Sequence, residues 1–152
     1  MKWLRRGVSV VGLCAGCGTP TPPQVVAQAP IIVEWVNDGA WHYCEMALTL
    51  PEAGQGSFST ACRGEEGPLV HGGGHLGTSE VYGLRQLLGE ARLFGDKSQG
   101  QDMRGLDYPL MTLRVTDGEQ VASVVCSLNE TLRNGARLHL VQAMWALEGR
   151  TS

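Results

Sequence analysis

Short runs of alternating apolar and polar residues dominate the chain from Ile31 onwards. The run 31–36 (IIVEWV) and the run 41–50 (WHYCEMALTL) flank Asn37-Asp38-Gly39, a sequence typical of a hairpin turn. A third alternating run follows at 57–63 (SFSTACR). We therefore expect three strands here, followed by a long glycine-rich loop from Gly64 to Gly77.

Two later segments space their apolar residues as a helix does. The first stripe runs from Val81 to Ala91, and Thr78 or Ser79 is placed to cap it. In the second, apolar residues recur every three or four positions from Leu132 to Leu147. Alternation within 136–144 leaves a strand open as the alternative, and we favour the helix.

Between these segments, the runs 108–116 and 120–128 flank Asp117-Gly118 and predict a second hairpin. The resulting order is β-β-β-α-β-β-α. It predicts the α+β class, an antiparallel β-sheet with two helices packed on one face. Residues 31–149 are long enough to form a single domain with one core.

The first 16 residues combine a basic start, a short apolar run and small residues before Cys17. This resembles a bacterial lipoprotein signal peptide (1–16), whose cleavage leaves Cys17 as a lipidated N-terminus. Cys14 stands where such signals usually carry Leu. An ordinary secretory signal and an uncleaved anchor are the alternatives. Because Gly18 rather than Asp follows the cysteine, the resemblance implies the outer membrane, facing the periplasm, over the inner membrane.

Residues 17–30 contain four prolines and no charged side chain, and they predict an extended tether. Without the signal, nine Lys and Arg oppose fifteen Asp and Glu, a net charge of −6. This charge argues against nucleic acid as a partner and against electrostatic binding to anionic lipid. Membrane attachment is therefore expected through the lipid on Cys17.

Three cysteines, Cys44, Cys62 and Cys126, follow the tether. An oxidising envelope favours one disulfide and leaves one thiol over. We favour Cys44 with Cys62 because they lie on consecutive predicted strands. The alternative is that all three are small buried apolar residues.

Candidate metal ligands are His71 and His75, which flank three glycines, with His42 as a third. A loop that joined them would form a metal site, although zinc requires three or four ligands. A solvated loop is the simpler interpretation. The same glycines match GxGxxG over 72–77, but a dinucleotide site requires a βαβ unit that the strand pattern does not predict.

No nucleophile or metalloprotease motif is present, so we expect no catalytic residue, no cofactor and no enzyme activity. Trp35, Trp41 and Tyr43 cluster at the first hairpin. They are interpreted as cross-strand pairs that stabilise the sheet, with a binding face as the alternative.

The segments LRQLLGEARLF (84–94), DYPLMTLRVTDGEQ (107–120) and LHLVQAMWAL (138–147) follow the layout of emfourins, small inhibitors of thermolysin-like metalloproteases. The domain resembles them over most of 31–147, apart from the insertion 51–77 and the cysteines. The resemblance implies a non-enzymatic domain that binds a protein partner and that inhibits a protease in one version. The alternative function is a periplasm-facing metal-binding lipoprotein that uses His71 and His75.

Overall fold

The computed structural model describes residues 28–39, 41–95, 110–126 and 135–151. The signal segment, Cys17, most of the tether and the start of the predicted strand at 108 lie outside these ranges. The segment 127–134, which includes the beginning of the second apolar helical stripe, also lies outside them.

The described residues form six strands and two α-helices, followed by a short 3-10 turn at Gly149–Thr151. The elements are, in chain order, β1 (Ile31–Asp38), β2 (His42–Leu50), β3 (Gly56–Gly64), β4 (Val70–Leu76), α1 (Thr78–Ala91), β5 (Leu110–Asp117), β6 (Gln120–Cys126) and α2 (Gly135–Glu148).

The strands form one antiparallel sheet in the order β4-β3-β2-β1-β5-β6. The first strand is therefore central, and β5, the next described strand after α1, pairs with the side of β1 that β2 leaves free. The register places Trp35 opposite both Met46 and Leu113. Strands β4 and β6 are the two edges of this sheet.

One face of the sheet carries the core, since side chains alternate between the faces of a strand. Both described helices cover this face with their apolar stripes, and no described helix covers the opposite face. The core joins strand and helix residues: Ile31, Val33, Trp35, Met46, Leu48, Leu50, Phe58, Leu76, Val81, Leu84, Leu88, Ala91, Leu93, Met111, Leu113, Val115, Ala122, Val124, Leu140, Val141, Met144 and Leu147. The predicted α+β class is confirmed, and the segment around 136–144 is helical.

The glycine-rich segment that was expected to be a loop contains a fourth strand, so the prediction of three strands before α1 was wrong. Gly74 lies opposite Phe58, and a Cβ on Gly74 would be 3.0 Å from that aromatic ring. On Gly73 it would be 2.5 Å from the backbone oxygen of Phe58. The glycines therefore permit close pairing of β4 with β3 rather than flexibility, a role that strand propensity does not reveal.

The N-cap of α1 is Gly77, one residue before Thr78, the first of the two expected caps, and Thr78 is the first helical residue. The backbone N–H of Gly77 donates to the Glu80 carboxylate at 2.7 Å. This bond, together with the neighbouring Arg150 guanidinium, holds the pKa of Glu80 below its usual range. Arg150 also donates to Glu80 at 2.7 Å, so the end of the chain is joined to the start of α1.

Gly73→Ala should lower the free energy of unfolding by about 1–3 kcal/mol, because the added methyl group forces the backbones of β3 and β4 apart. Gly83→Ala is the control, since a Cβ at Gly83 in α1 meets no atom within 4 Å. It should raise stability by about 0.5–1 kcal/mol through helix propensity. Urea unfolding followed by circular dichroism measures both changes. Equal stabilisation by the two alanines would contradict the close pairing of β3 with β4.

Candidate functional site

A buried carboxylate lies at one end of the covered face. Glu148 is the last residue of α2 and is only 8% exposed. Its Oε1 accepts a hydrogen bond from the Trp35 indole Nε1 at 2.6 Å. The Asn37 Nδ2 donates toward both carboxylate oxygens, at 3.3 and 3.4 Å. These donors compensate for the water that the buried carboxylate has lost.

His42 closes this end of the site toward solvent. Its Nε2 lies 3.2 Å from Glu148 Oε2, and its side chain is 48% exposed. The contact is an ion pair when the imidazole is protonated and a hydrogen bond when the neutral ring carries its proton on Nε2. In either form, it links the start of β2 to the end of α2.

Cys44 and Cys62 are directly opposite each other on β2 and β3, and the structure joins them in a disulfide. The side chain of Cys44 is fully buried, whereas Cys62 is half-buried. Ligand atoms of His42, Cys44 and Glu148 lie within 4.8 Å of one another. We refer to these three residues together with Cys62 as the Glu148 cluster.

The candidate metal ligands from the sequence are not brought together. His71 and His75 lie on the open face of β4, opposite Ala61 and Ser57. Four residue steps along the strand separate their backbones by about 13 Å. The side chain of His42 points to the covered face, where it contacts Glu148. The three imidazoles therefore do not converge on one ion.

The open face of the sheet carries a shallow trough. The floor of the trough consists of small side chains on β2 and β3, and carboxylates and an imidazole flank this floor. The residues of the open face that line the trough are Glu34, Val36, Glu45, Ala47, Ser59, Ala61 and His71. Because no described helix covers this face, its small side chains leave the sheet backbone accessible to a partner.

Tyr43 and its neighbours form the rim of the trough at the hairpin end. The Tyr43 hydroxyl donates a hydrogen bond to the Glu45 carboxylate. This bond and the charge of Glu45 raise the pKa of Tyr43. The Arg63 guanidinium lies 5.3 Å from the centre of the Tyr43 ring, close enough for a cation–π contact.

The aromatic cluster expected at the first hairpin is divided by the structure. Trp35 is 1% exposed and belongs to the core, opposite Met46 rather than another aromatic ring. Trp41 is 71% exposed beside the turn. Tyr43 is half-buried on the open face. The interpretation of these residues as cross-strand aromatic pairs is therefore wrong.

Strand β4 offers a second accessible feature, its outer backbone edge. Residues 70–73 and 75 are exposed, and Gly74 is half-exposed. Three successive glycines leave this edge with few side chains to shield its N–H and C=O groups. Among the described residues no strand pairs with this edge, so it is a template for an additional strand.

The GxGxxG match over 72–77 does not form a dinucleotide-binding turn. Most of it is the antiparallel edge strand β4, and the N-terminus of α1 beyond it is occupied by the Glu80 carboxylate. A phosphate group at this helix end would be repelled by that carboxylate.

No family model matches the chain, and no curated protein matches it. No helix in the described ranges is both long and apolar enough to cross a membrane. The resemblances to a lipoprotein signal and to emfourins therefore remain predictions from the sequence.

Glu148 is not among the candidate site residues predicted from the sequence. A signal for it is nevertheless present, because Glu148 follows Val141 by seven residues and Met144 by four, and so continues the buried stripe of α2. A charged residue on an apolar helical stripe indicates a buried partner, and that partner, Trp35, is 113 residues away in the chain.

Trp35→Phe should lower the free energy of unfolding by about 2–4 kcal/mol, because it removes a hydrogen bond to a buried charge and part of a core side chain. Trp145→Phe, at a 37% exposed position of α2, should cost about 0.5 kcal/mol. Chemical denaturation of both variants measures this difference.

A double-mutant cycle separates the hydrogen bond from packing. In a Glu148→Ala background, which removes the acceptor, the cost of Trp35→Phe should fall by about 0.5–3 kcal/mol, the usual coupling range for contacting residues. An unchanged cost would show that Trp35 stabilises the fold by packing alone.

Proposed function

We propose that this chain is a lipid-anchored protein of the bacterial cell envelope, whose domain binds another protein through β4 and the adjoining open face. Cys17 carries the lipid, the tether holds the domain away from the membrane, and the domain faces the periplasm from the outer membrane. Inhibition of an extracytoplasmic protease is one specific version of this function.

The observation that carries the binding role is the exposed, glycine-rich edge of β4. An extended polypeptide can add to such an edge through main-chain hydrogen bonds, and pockets for alternate side chains then supply specificity. The edge is rigid because β4 is paired with β3 along 70–76. Binding would therefore require little additional ordering of this chain.

The open face extends the same surface. A segment that pairs with the outer edge of β4 would place side chains beside His71 and His75 on the open face. On the other side of these histidines, β3 carries Ala61 and Ser59, which belong to the floor of the trough. The protease-inhibitory version uses this geometry too, since a protease that binds extended substrates could pair with β4. In that version the strand, rather than a loop over 64–77, contacts the protease.

The lipid anchor is supported by the sequence features of residues 1–30, and by the mature net charge of −6, which disfavours electrostatic attachment to anionic lipid. The metal-binding alternative through His71 and His75 is weaker, because their separation along β4 leaves each imidazole without the other as a co-ligand.

The mature N-terminal peptide should begin at Cys17 and carry the mass of a diacylglyceryl group with an acyl chain. Cys17→Ser should abolish this mass and release the chain from the membrane fraction, because no lipid would then hold it. Cys14→Ser is the matched control and should leave lipidation unchanged. Mass spectrometry of membrane-extracted protein reads both variants, and an unlipidated Cys17 peptide from the wild type would contradict the anchor.

Titration of a thermolysin-like metalloprotease with the full chain should inhibit the enzyme, and Val70→Lys should weaken inhibition at least about tenfold by placing a charge on the β4 edge. Val121→Lys is the matched control on β6, since Val70 and Val121 are 59% and 51% exposed on opposite edges. Undiminished protease activity at large molar excess of the wild type would overturn the inhibitory version. Equal weakening by both lysines would overturn binding through β4.

A further inference from the structure

The Glu148 cluster contains the donor set of a zinc site in which two ligands are held in a disulfide. Cys44 contributes one sulfur, and its disulfide partner Cys62 contributes the second. Ligand atoms of His42 and Glu148 lie within 4.8 Å of each other and of Cys44 Sγ. With Zn–S of about 2.3 Å and Zn–N of about 2.0 Å, tetrahedral ligands stand about 3–4 Å apart, so small side-chain movements would bring His42, Cys44 and Glu148 to these distances. The bond to Cys44 holds the sulfur of Cys62 next to this group.

We propose that reduction of the Cys44–Cys62 disulfide creates a site for Zn²⁺, with the two thiolates, the His42 imidazole and the Glu148 carboxylate as ligands. Two thiolates with one imidazole and one carboxylate suit a thiophilic divalent ion that prefers tetrahedral geometry. The disulfide and the metal exclude each other, because a sulfur bonded to sulfur is not a thiolate.

The surroundings of Glu148 favour its role as a ligand. Its Oε1 is held by the Trp35 indole, whereas Oε2 faces His42 at 3.2 Å. Asn37 donates to both oxygens and orients the carboxylate. Ligating carboxylates are characteristically fixed by such outer hydrogen bonds. The exposed ring of His42 and the half-buried Cys62 provide the route by which an ion enters.

The chemistry balances in two steps. A dithiol reductant transfers two electrons and two protons to the disulfide, so the Cys44–Cys62 bond breaks, two thiols form, and the reductant becomes a disulfide. Zn²⁺ then displaces the two thiol protons to solvent and forms two Zn–S bonds. The zinc site is therefore available only when a dithiol with a reduction potential low enough to reduce this disulfide is present. This inference depends neither on the lipid anchor nor on a protein partner.

The test uses the full chain with Cys14, Cys17 and Cys126 changed to Ser, so that only the disulfide cysteines remain. The chain is reduced with a dithiol, freed of it under anaerobic conditions, and titrated with Zn²⁺ against a chromophoric chelator. The reduced chain should bind one Zn²⁺ and release protons, and the oxidised chain should not compete with the chelator. Cobalt(II) in place of zinc should show thiolate charge-transfer absorption in the reduced chain.

His42→Ala and His71→Ala form a matched pair, since both remove an exposed imidazole from the sheet. His42→Ala should weaken zinc binding by at least about 10- to 100-fold. Substitution of residues that only support the ligands already weakens metal binding by this much, and His42 is a proposed ligand. His71→Ala should leave binding unchanged. Circular dichroism of the reduced variants verifies that they are folded. Equal zinc affinity in the oxidised and reduced wild-type chain would overturn the proposal, and so would equal weakening by the two alanines.

Discussion

The burial of the Glu148 carboxylate is the constraint on which the arrangement of this domain depends. A buried charge is costly unless donors surround it, and here the donors come from β1, through Trp35 and Asn37, and from β2, through His42. Because these donors occupy the central strand of the sheet and its neighbour, the end of α2 can be buried at this point only in the register observed. Burial of the apolar stripe of α2 stabilises the fold, and Glu148 is the last buried residue of that helix.

The same arrangement explains why the two faces of the sheet differ. Both described helices pack on the face that contains Trp35 and the disulfide, and no described helix covers the small and charged side chains of the other face. The glycines of β4 allow the backbone of an edge strand to lie close to Phe58. One end of the sheet is thus tied together by polar contacts, while the β4 edge stays accessible. Binding through that edge and metal chemistry at Glu148 can therefore be independent properties.

Strands with β-favouring runs were predictable, as β1, β2, β3, β5 and β6 show, and the periodicity of α1 and α2 was sufficient to place both helices. Strand β4 was not predictable, because GGGH has neither β-branched residues nor alternation. Its strand conformation arises from pairing with β3 and from the packing of Phe58 over Gly74. The predicted approach of the histidines to one another is not seen in the structure, for the same reason. Once 70–76 is a strand, His71 and His75 are held apart, and the pleat turns His42 to the other face.

The sequence alone predicted the α+β class, the position of both described helices and the acidic net charge, which is −3 for the whole sequence. These follow from local periodicity and composition, which are properties of neighbouring residues. The tertiary structure decided that Glu148 contacts Trp35, that a glycine run forms an edge strand among the described residues, and that both described helices pack on the same face of the sheet. Each of these depends on contacts between residues far apart in the chain, where burial, pairing and charge compensation outweigh local propensity.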